Sequence, residues 1–474
     1  MPYLSRAFIL LVIFLVGCAT EQVGTIQSGG GYQYRRGFPE VTMSAIGIFD
    51  DRGQPGINVA VDIVFGSLIY KNVDDNFISD VNIEVQIIKT DGDQATATNR
   101  SFDFSITDKD NSITSNQDVF SFQERFPMPP GKYTVNVTVT DKQSAKITTR
   151  SATTQIPDPE STKILLTDIN MLARVDTLGT SDNFFPLTTY DVPARFDTLK
   201  FQYQVTKGDD ESRIDIAMRL YKFRIDSIPA RSMYLRDYSP SELGYKGIDT
   251  RNAEVLETQT RTLLEETGSI LIEYPIANLG RGAYRFEITV TGGGLDAPLI
   301  SSRDFSVKTD FYPSVRTVRE LAEPLVYLMD DRRHRRLMAI EDPDSLKYEI
   351  DYFWLNNLEN AVKARSVLEM YYSRVEEANK QFPHFKPGWM TDPGMIYVLF
   401  GPPWDVEVRL DQMRWVYGNN PDDPSRVFFF KRTRIAAREY PFEIYVLQRS
   451  PYYFEVLNNK VQDWLSGLIL TRQL

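Results

Sequence analysis

The apolar period of this 474-residue chain switches from strand-like to helical after Tyr312-Pro313, and that change divides what the chain can fold into. Upstream, apolar residues alternate at two: Val59, Val61, Ile63 and Phe65, then Val81, Ile83, Val85 and Ile87. Alternation at two gives strands with one buried face. Downstream, Val315, Val318, Leu321, Leu325, Leu328 and Met329 recur at three and four, the spacing of an amphipathic helix. The chain is therefore β first and helical later, and its length suggests about three domains.

The first β region, residues 36–156, predicts strands at Asn58 to Phe65, Val81 to Ile88, Ser101 to Ile106, Val119 to Phe126 and Tyr133 to Thr140, separated by Asn, Asp, Gly and Pro clusters. After the linker Ile156-Pro157-Asp158-Pro159-Glu160, a second region, 160–308, predicts strands at Thr198 to Val205, Ile214 to Phe223, Ser269 to Tyr274 and Tyr284 to Thr291. Gly131-Lys132-Tyr133 and Gly282-Ala283-Tyr284 open strands that both end Thr-Val-Thr. The echo arises by duplication or by convergent hairpin chemistry, and it resembles the closing hairpin of immunoglobulin-like modules. Residues 228–265 are polar and partly helical in composition, and read as an excursion between strands.

In the last region, 313–474, Pro324 starts or kinks a helix. Helical stretches follow from Asp344 through Leu355 and along Val367, Tyr371, Val375 and Ala378. Then comes Gly388-Trp389-Met390-Thr391-Asp392-Pro393-Gly394, which reads as a type II turn: Asp392 accepts from the turn backbone and Gly394 takes a positive φ. Met395 to Phe400 reads as a buried strand ended by Gly401-Pro402-Pro403. Strands at Asp405 to Leu410, Met413 to Tyr417, Val427 to Thr433 and Phe442 to Leu447, then a helix at Lys460 to Leu470, complete an α+β domain with helices first and antiparallel sheet second.

The turn resembles the motif of the GWxTD-domain family of bacterial envelope proteins. Phe353-Trp354 and Arg374-Val375-Glu376-Glu377-Ala378-Asn379 match further family pieces, so the resemblance covers about residues 315–450. It implies an envelope address and an architecture, and no activity. The family's charged stretch after Phe-Trp is replaced here by Leu355-Asn356-Asn357-Leu358-Glu359-Asn360.

The N-terminus supports that address. Arg6 precedes the apolar run Ala7 to Val16, long enough for a signal peptide (1–17) and too short to span a bilayer. Leu15-Val16-Gly17-Cys18 resembles a bacterial lipobox, which implies lipidation of Cys18, the only cysteine. Ala19 after it implies the outer membrane by analogy with enteric sorting. Residues 18–35, with Gly29-Gly30-Gly31, read as a tether. Removing residues 1–17 takes away Arg6 alone among charged residues, which makes the net charge of −11 more negative still. Such a surface disfavours nucleic acid and anionic headgroups, and leaves membrane attachment to the lipid.

The inventory for catalysis is thin. With His334 and His384 the only histidines, and the cysteine lipidated, a His-rich zinc site, Cys catalysis and a Ser-His-Asp site are all disfavoured. His334 reads as part of a solvated basic face, and His384 could reach Asp392 if its loop folds back. Calcium at Asp330-Asp331 or Asp422-Asp423 lacks an EF-hand pattern. No cofactor or metal is expected. Carboxylates remain, and Asp392, Asp405, Glu407 and Asp411 cluster around the motif, as a glycan or peptide hydrolase would need. The leading expectation is binding instead. Gly388, Trp389, Thr391, Asp392, Pro393, Gly394, Gly401, Pro402, Pro403 and Trp404 would frame a rigid aromatic platform, presented by two β-sandwich spacers to an envelope protein or cell-wall polymer.

Overall fold

The computed structural model describes residues 22–23, 37–50, 52–91, 95–158, 164–174, 184–207, 213–235, 248–263, 268–358, 360–418, 420, 423–433 and 444–471. Cys18 and the signal peptide lie outside them. From the tether, Gln22–Val23 pair in parallel with Ser301 and Ser302, so that stretch is not wholly a free spacer.

The first β region is a two-sheet sandwich. One sheet runs Val41–Phe49, Pro55–Val64, Val119–Pro127, and the other runs Ala95–Asp108, Asn76–Lys89, Gly131–Asp141, Lys146–Ile156, with Lys71–Val73 added at one end. The two alternating sets meet in its core: Val59, Val61 and Ile63 from one sheet face Val81, Ile83, Val85 and Ile87 from the other, all buried. Each such side chain contributes about 1.5–3 kcal/mol by leaving water. Phe65 falls just past its strand, in a 3-10 turn.

A second sandwich follows. Its larger sheet runs Ile248–Leu263, Ile214–Ile225, Gly282–Gly292, Leu299–Lys308, with Asp191–Pro193 added in parallel to the last strand. The other sheet runs Gly268–Ala277, Thr198–Lys207, Asn170–Arg174, Phe185–Pro186. Phe201 stacks on Phe286 at 4.3 Å between them. The sequence echo has a structural counterpart. The Tyr133 hydroxyl donates to the Pro129 carbonyl (2.7 Å) and the Tyr284 hydroxyl to the Gly280 carbonyl (2.6 Å). Each ring is buried, and each hydroxyl bonds four residues back, the device that pins a corner in immunoglobulin-like sandwiches.

The excursion expected at 228–265 is present over its described residues up to Leu235 and is corrected in its later half. Its later part is the 16-residue strand Ile248–Leu263, invisible to alternation because most of its described side chains are exposed on both faces. Its earlier part leaves the sandwich altogether. Asp226 to Leu235 lies against the C-terminal domain, and Met233 is fully buried in that domain's core.

The C-terminal domain has six helices among the described residues: α1 (Val318–Ala322), α2 (Asp331–Met338), α3 (Pro343–Leu358), α4 (Ala361–Gln381), α5 (Asp392–Phe400) and α6 (Tyr453–Ser466). A four-stranded antiparallel sheet, in order Asp405–Val408, Gln412–Val416, Val427–Arg432, Tyr445–Leu447, packs on them. Pro324 does interrupt: α1 passes at once into a 3-10 turn, Glu323–Tyr327.

The three bodies are tied by polar groups out of solvent. The Gln204 amide donates to the Phe49 carbonyl and accepts from the Phe49 N–H, each at 2.8 Å, so one side chain joins the two sandwiches as a strand would. Lys380 of α4 reaches Glu40 (2.8 Å) and Gln117 (2.7 Å) of the first sandwich. From the second sandwich, Lys308 donates to the carbonyls of His384 and Phe385, both at 2.7 Å, and Lys386 pairs with Asp226 at 2.8 Å. Burial pushes Lys308 down to about 8, opposed by Asp191 at 3.6 Å.

Candidate functional site

The motif segment folds as a helix start and not as the expected turn and strand. Gly388–Met390 is a single 3-10 turn, and Thr391 caps α5, its hydroxyl oxygen accepting from Gly394 N–H at 3.0 Å. The same hydroxyl donates to the Gly388 carbonyl at 2.7 Å. All nine residues of α5 are buried, so the apolar run shows no stripe from which a period could be read. The available signal was the cap: Thr before Asp-Pro is a helix start with proline in its first turn. Replacing Thr391 with Ala is expected to cost about 1–2 kcal/mol, measured as a drop in unfolding free energy in denaturant.

Gly394 serves through closeness and needs no positive φ. A Cβ there would lie 2.0 Å from the Gly388 carbonyl oxygen, and one on Gly388 would lie 2.2 Å from the Ala378 carbonyl oxygen. The two glycines let the motif lie directly on α4. Gly401, at φ +86°, ends α5.

The helix carrying Arg374 to Asn379 holds both ends of this arrangement. Asn379 accepts from Trp389 N–H (3.3 Å) and donates to the Pro313 carbonyl (2.9 Å). Arg374, one helical turn earlier, donates to the Val398 and Leu399 carbonyls (3.4 and 3.3 Å), where cationic charge suits a helix C-terminus. Between them Glu377 accepts from the Tyr397 hydroxyl at 2.6 Å.

Trp389 is core, 3% exposed, so the expected platform does not form around it. Its ring meets Tyr327 edge-on at 5.8 Å, and its carbonyl accepts from the Tyr327 hydroxyl at 2.9 Å. Trp415, Tyr397 and Tyr417 are buried as well; Trp404, beside Pro402 and Pro403, is exposed.

Asp392 does not bond the turn backbone. Its carboxylate takes Arg449 in two parallel bonds, Oδ1 from Nη2 at 2.6 Å and Oδ2 from Nη1 at 2.8 Å, and Oδ2 also accepts from Leu447 N–H at 2.8 Å. Arg449 reaches on to the Arg231 carbonyl at 3.1 Å. Aspartate, arginine and the second sandwich's excursion are thereby linked out of water. Arg449 escaped the sequence reading because it lies 57 residues downstream, with no local spacing to connect it.

The remaining candidates disperse. His384 is buried beside Lys308 and Lys386, and burial first, then those two charges, holds its imidazole well below the ordinary value. It has no bond to Asp392. His334 is half-buried, with Nε2 3.1 Å from the Glu323 carbonyl, so it is not part of a solvated face. Asp405 and Asp411 sit exposed on a hairpin, and Glu407 there pairs with Arg409 at 2.7 Å. A two-carboxylate hydrolase needs its acids facing one cleft; here Asp392 is interior and the other three lie on the hairpin. Asp330 caps α2, and Asp423 binds Ser425; Asp422 lies outside the described residues. Among the described residues no cluster of three metal-ligating side chains occurs, nor does any helix long and apolar enough to cross a membrane.

The sequence profile of the GWxTD domain matches residues 298–466. This region is a GWxTD domain. The match begins one residue before the last strand of the second sandwich, Leu299–Lys308, and takes in the whole strand, so the GWxTD unit includes the lysine that holds His384 and Phe385. No curated protein matches the chain. Solved structures similar to it include red sea bream transglutaminase (8% identity, TM-score 0.19, 58% of this chain and 32% of that one). Escherichia coli α2-macroglobulin in its native conformation is similar at 12% identity and TM-score 0.19, over 58% and 16% of the two chains. A Salmonella α2-macroglobulin mutant gives 14% identity and TM-score 0.18, over 60% and 17%. The chain thus spans about a third or less of each.

The outer surface of the GWxTD domain carries a groove between α3 and α4, of about 850 Å³, lined by Asp351, Trp354, Leu355, Arg365, Leu368 and Tyr372 among others. Its rim is apolar and wet. Tyr348 and Tyr352 stack at 6.4 Å with 14° between their planes, and Val362 is 78% exposed. Lys347 pairs with Asp351 beside them.

Proposed function

We propose that this is a lipid-anchored protein of the bacterial envelope, attached through Cys18 and most simply to the outer membrane, in which two β-sandwich spacers present the GWxTD domain to a protein partner. The reading is a binding or scaffold role. It rests above all on where the motif's polar groups go: Asp392, Thr391 and the Trp389 backbone are all engaged inside the protein. The motif is then a structural core, and the working surface lies elsewhere on the domain. The α3 rim suits that role, because Tyr348, Tyr352 and Leu355 recur at four and three along one exposed helix face. Stacked tyrosines bring large contact area at low cost in side-chain entropy.

The test is crosslinking and pull-down from intact cells, comparing the parent chain with Tyr352→Ala and Leu355→Ser. Partner recovery is expected to fall by about tenfold or more, the effect of losing an aromatic anchor, at unchanged thermal stability. Recovery from both variants equal to that from the parent chain would reject the α3 surface, and recovery of a nucleic acid or of no partner from the parent chain would reject the reading.

A further inference from the structure

We propose that strand Asp405–Val408 is a self-pairing edge, through which two copies of this chain join their C-terminal sheets across a two-fold axis. The inference depends neither on the lipid anchor nor on the α3 surface. This strand ends its sheet, with Gln412–Val416 its one neighbour among the described residues. Arg409 N–H donates to the Gln412 carbonyl at 2.8 Å, closing a tight hairpin. Antiparallel ladders alternate residue by residue, so Glu407 and Asp405 also turn their backbone groups to that neighbour, opposite Arg414 and Val416. Val406 and Val408 are left with N–H and C=O directed outward.

Their side chains extend the core beyond its rim. Val406 stands opposite Trp415 and Val408 opposite Met413, both buried, yet Val406 is 47% and Val408 61% exposed, with Leu410 at 87% beyond them. An apolar edge of this kind is a template for another strand. A second copy fits it in one register. With Glu407 against its own counterpart, the outward backbone groups of Val406 meet those of Val408 twice over, and Trp404 falls opposite Leu410. On the other face Asp405 falls opposite Arg409 of the second copy. Sliding by two residues either way sets Asp405 against Glu407 or against Asp411, so charge selects the central register. Glu407, on the axis, is already neutralised within its own chain by Arg409 at 2.7 Å and Arg414 at 3.8 Å. A seam this short belongs to the weak class of interfaces, and holding two chains on one surface would raise their effective concentration.

The experiment places a cysteine at Glu407→Cys or, as an off-axis control, at Asp411→Cys in the full chain under mild oxidation, every chain including the parent carrying Cys18→Ser so that no other thiol is present. The register brings the two residue-407 Cα atoms to about 4.5 Å, within disulfide reach. The expected result is an intermolecular disulfide at 407, little at 411, and none in the parent chain. Adding Val406→Lys and Val408→Lys sets like charges across the seam and is expected to slow crosslinking at least about tenfold at unchanged melting temperature. No disulfide at 407, equal yields at 407 and 411, or undiminished crosslinking by a folded lysine variant would each overturn the proposal. So would capture by Glu407→Cys of another protein in place of its own copy.

Discussion

Replacing Asp392 by alanine is expected to destabilise the protein by about 3–5 kcal/mol, because it leaves a buried guanidinium without its counter-charge. The Arg449 side chain is wholly inaccessible and that of Asp392 is 9% exposed, so water cannot take the carboxylate's place. The backbone N–H of Leu447 also loses its acceptor. The effect is local in origin and wide in reach, since Arg449 also holds the Arg231 carbonyl of the excursion. Chemical denaturation of the single variant and of Asp392→Ala/Arg449→Met decides the cause. The double variant removes both charges and is expected to recover more than half of the loss, as apolar replacement of buried pairs often does. A single-variant loss under about 1 kcal/mol would mean that the pair is solvated and that Asp392 is available for other work.

The second large effect belongs to Trp389. Truncation to alanine is expected to cost about 3–5 kcal/mol, the range for a large aromatic deleted from a packed core. The cavity would open beneath Tyr327, whose hydroxyl is fixed to the Trp389 carbonyl and cannot swing in to fill it without giving up that bond. Loss of near-ultraviolet dichroism together with a lower denaturation midpoint would report it. The opposite outcome, an unchanged midpoint with a binding partner lost, would restore Trp389 to the surface role that its sequence context suggested.

Most of the sandwich strands were legible because one face of each is buried and the other wet, and the period of two follows. Val41–Phe49 was not, because nearly all of its residues are buried: one side packs in its own sandwich while Gln204 of the other closes its end. The strand Ile248–Leu263 failed for the reverse reason, being exposed on both faces. The α5 run reads as a strand because a helix apolar all round has no stripe. The residues that matter most at the motif came from far along the chain. Local spacing identifies Asp392 and Thr391, but a buried carboxylate demands a cation and cannot say from where. Arg449, Tyr327 and Ala230 reach the motif only through tertiary packing, from three separate stretches.

Where the GWxTD match begins has a consequence for how such chains can be assembled. A cut at Tyr312-Pro313, where the period changes, would pass through a party wall: Lys308 on one side fills carbonyls on the other, and Asp226 answers Lys386 across it. The module that can travel between proteins therefore carries a strand of its neighbour with it. The front sandwich lends the match no strand and meets the rest through side chains, Gln204 and Lys380 among them.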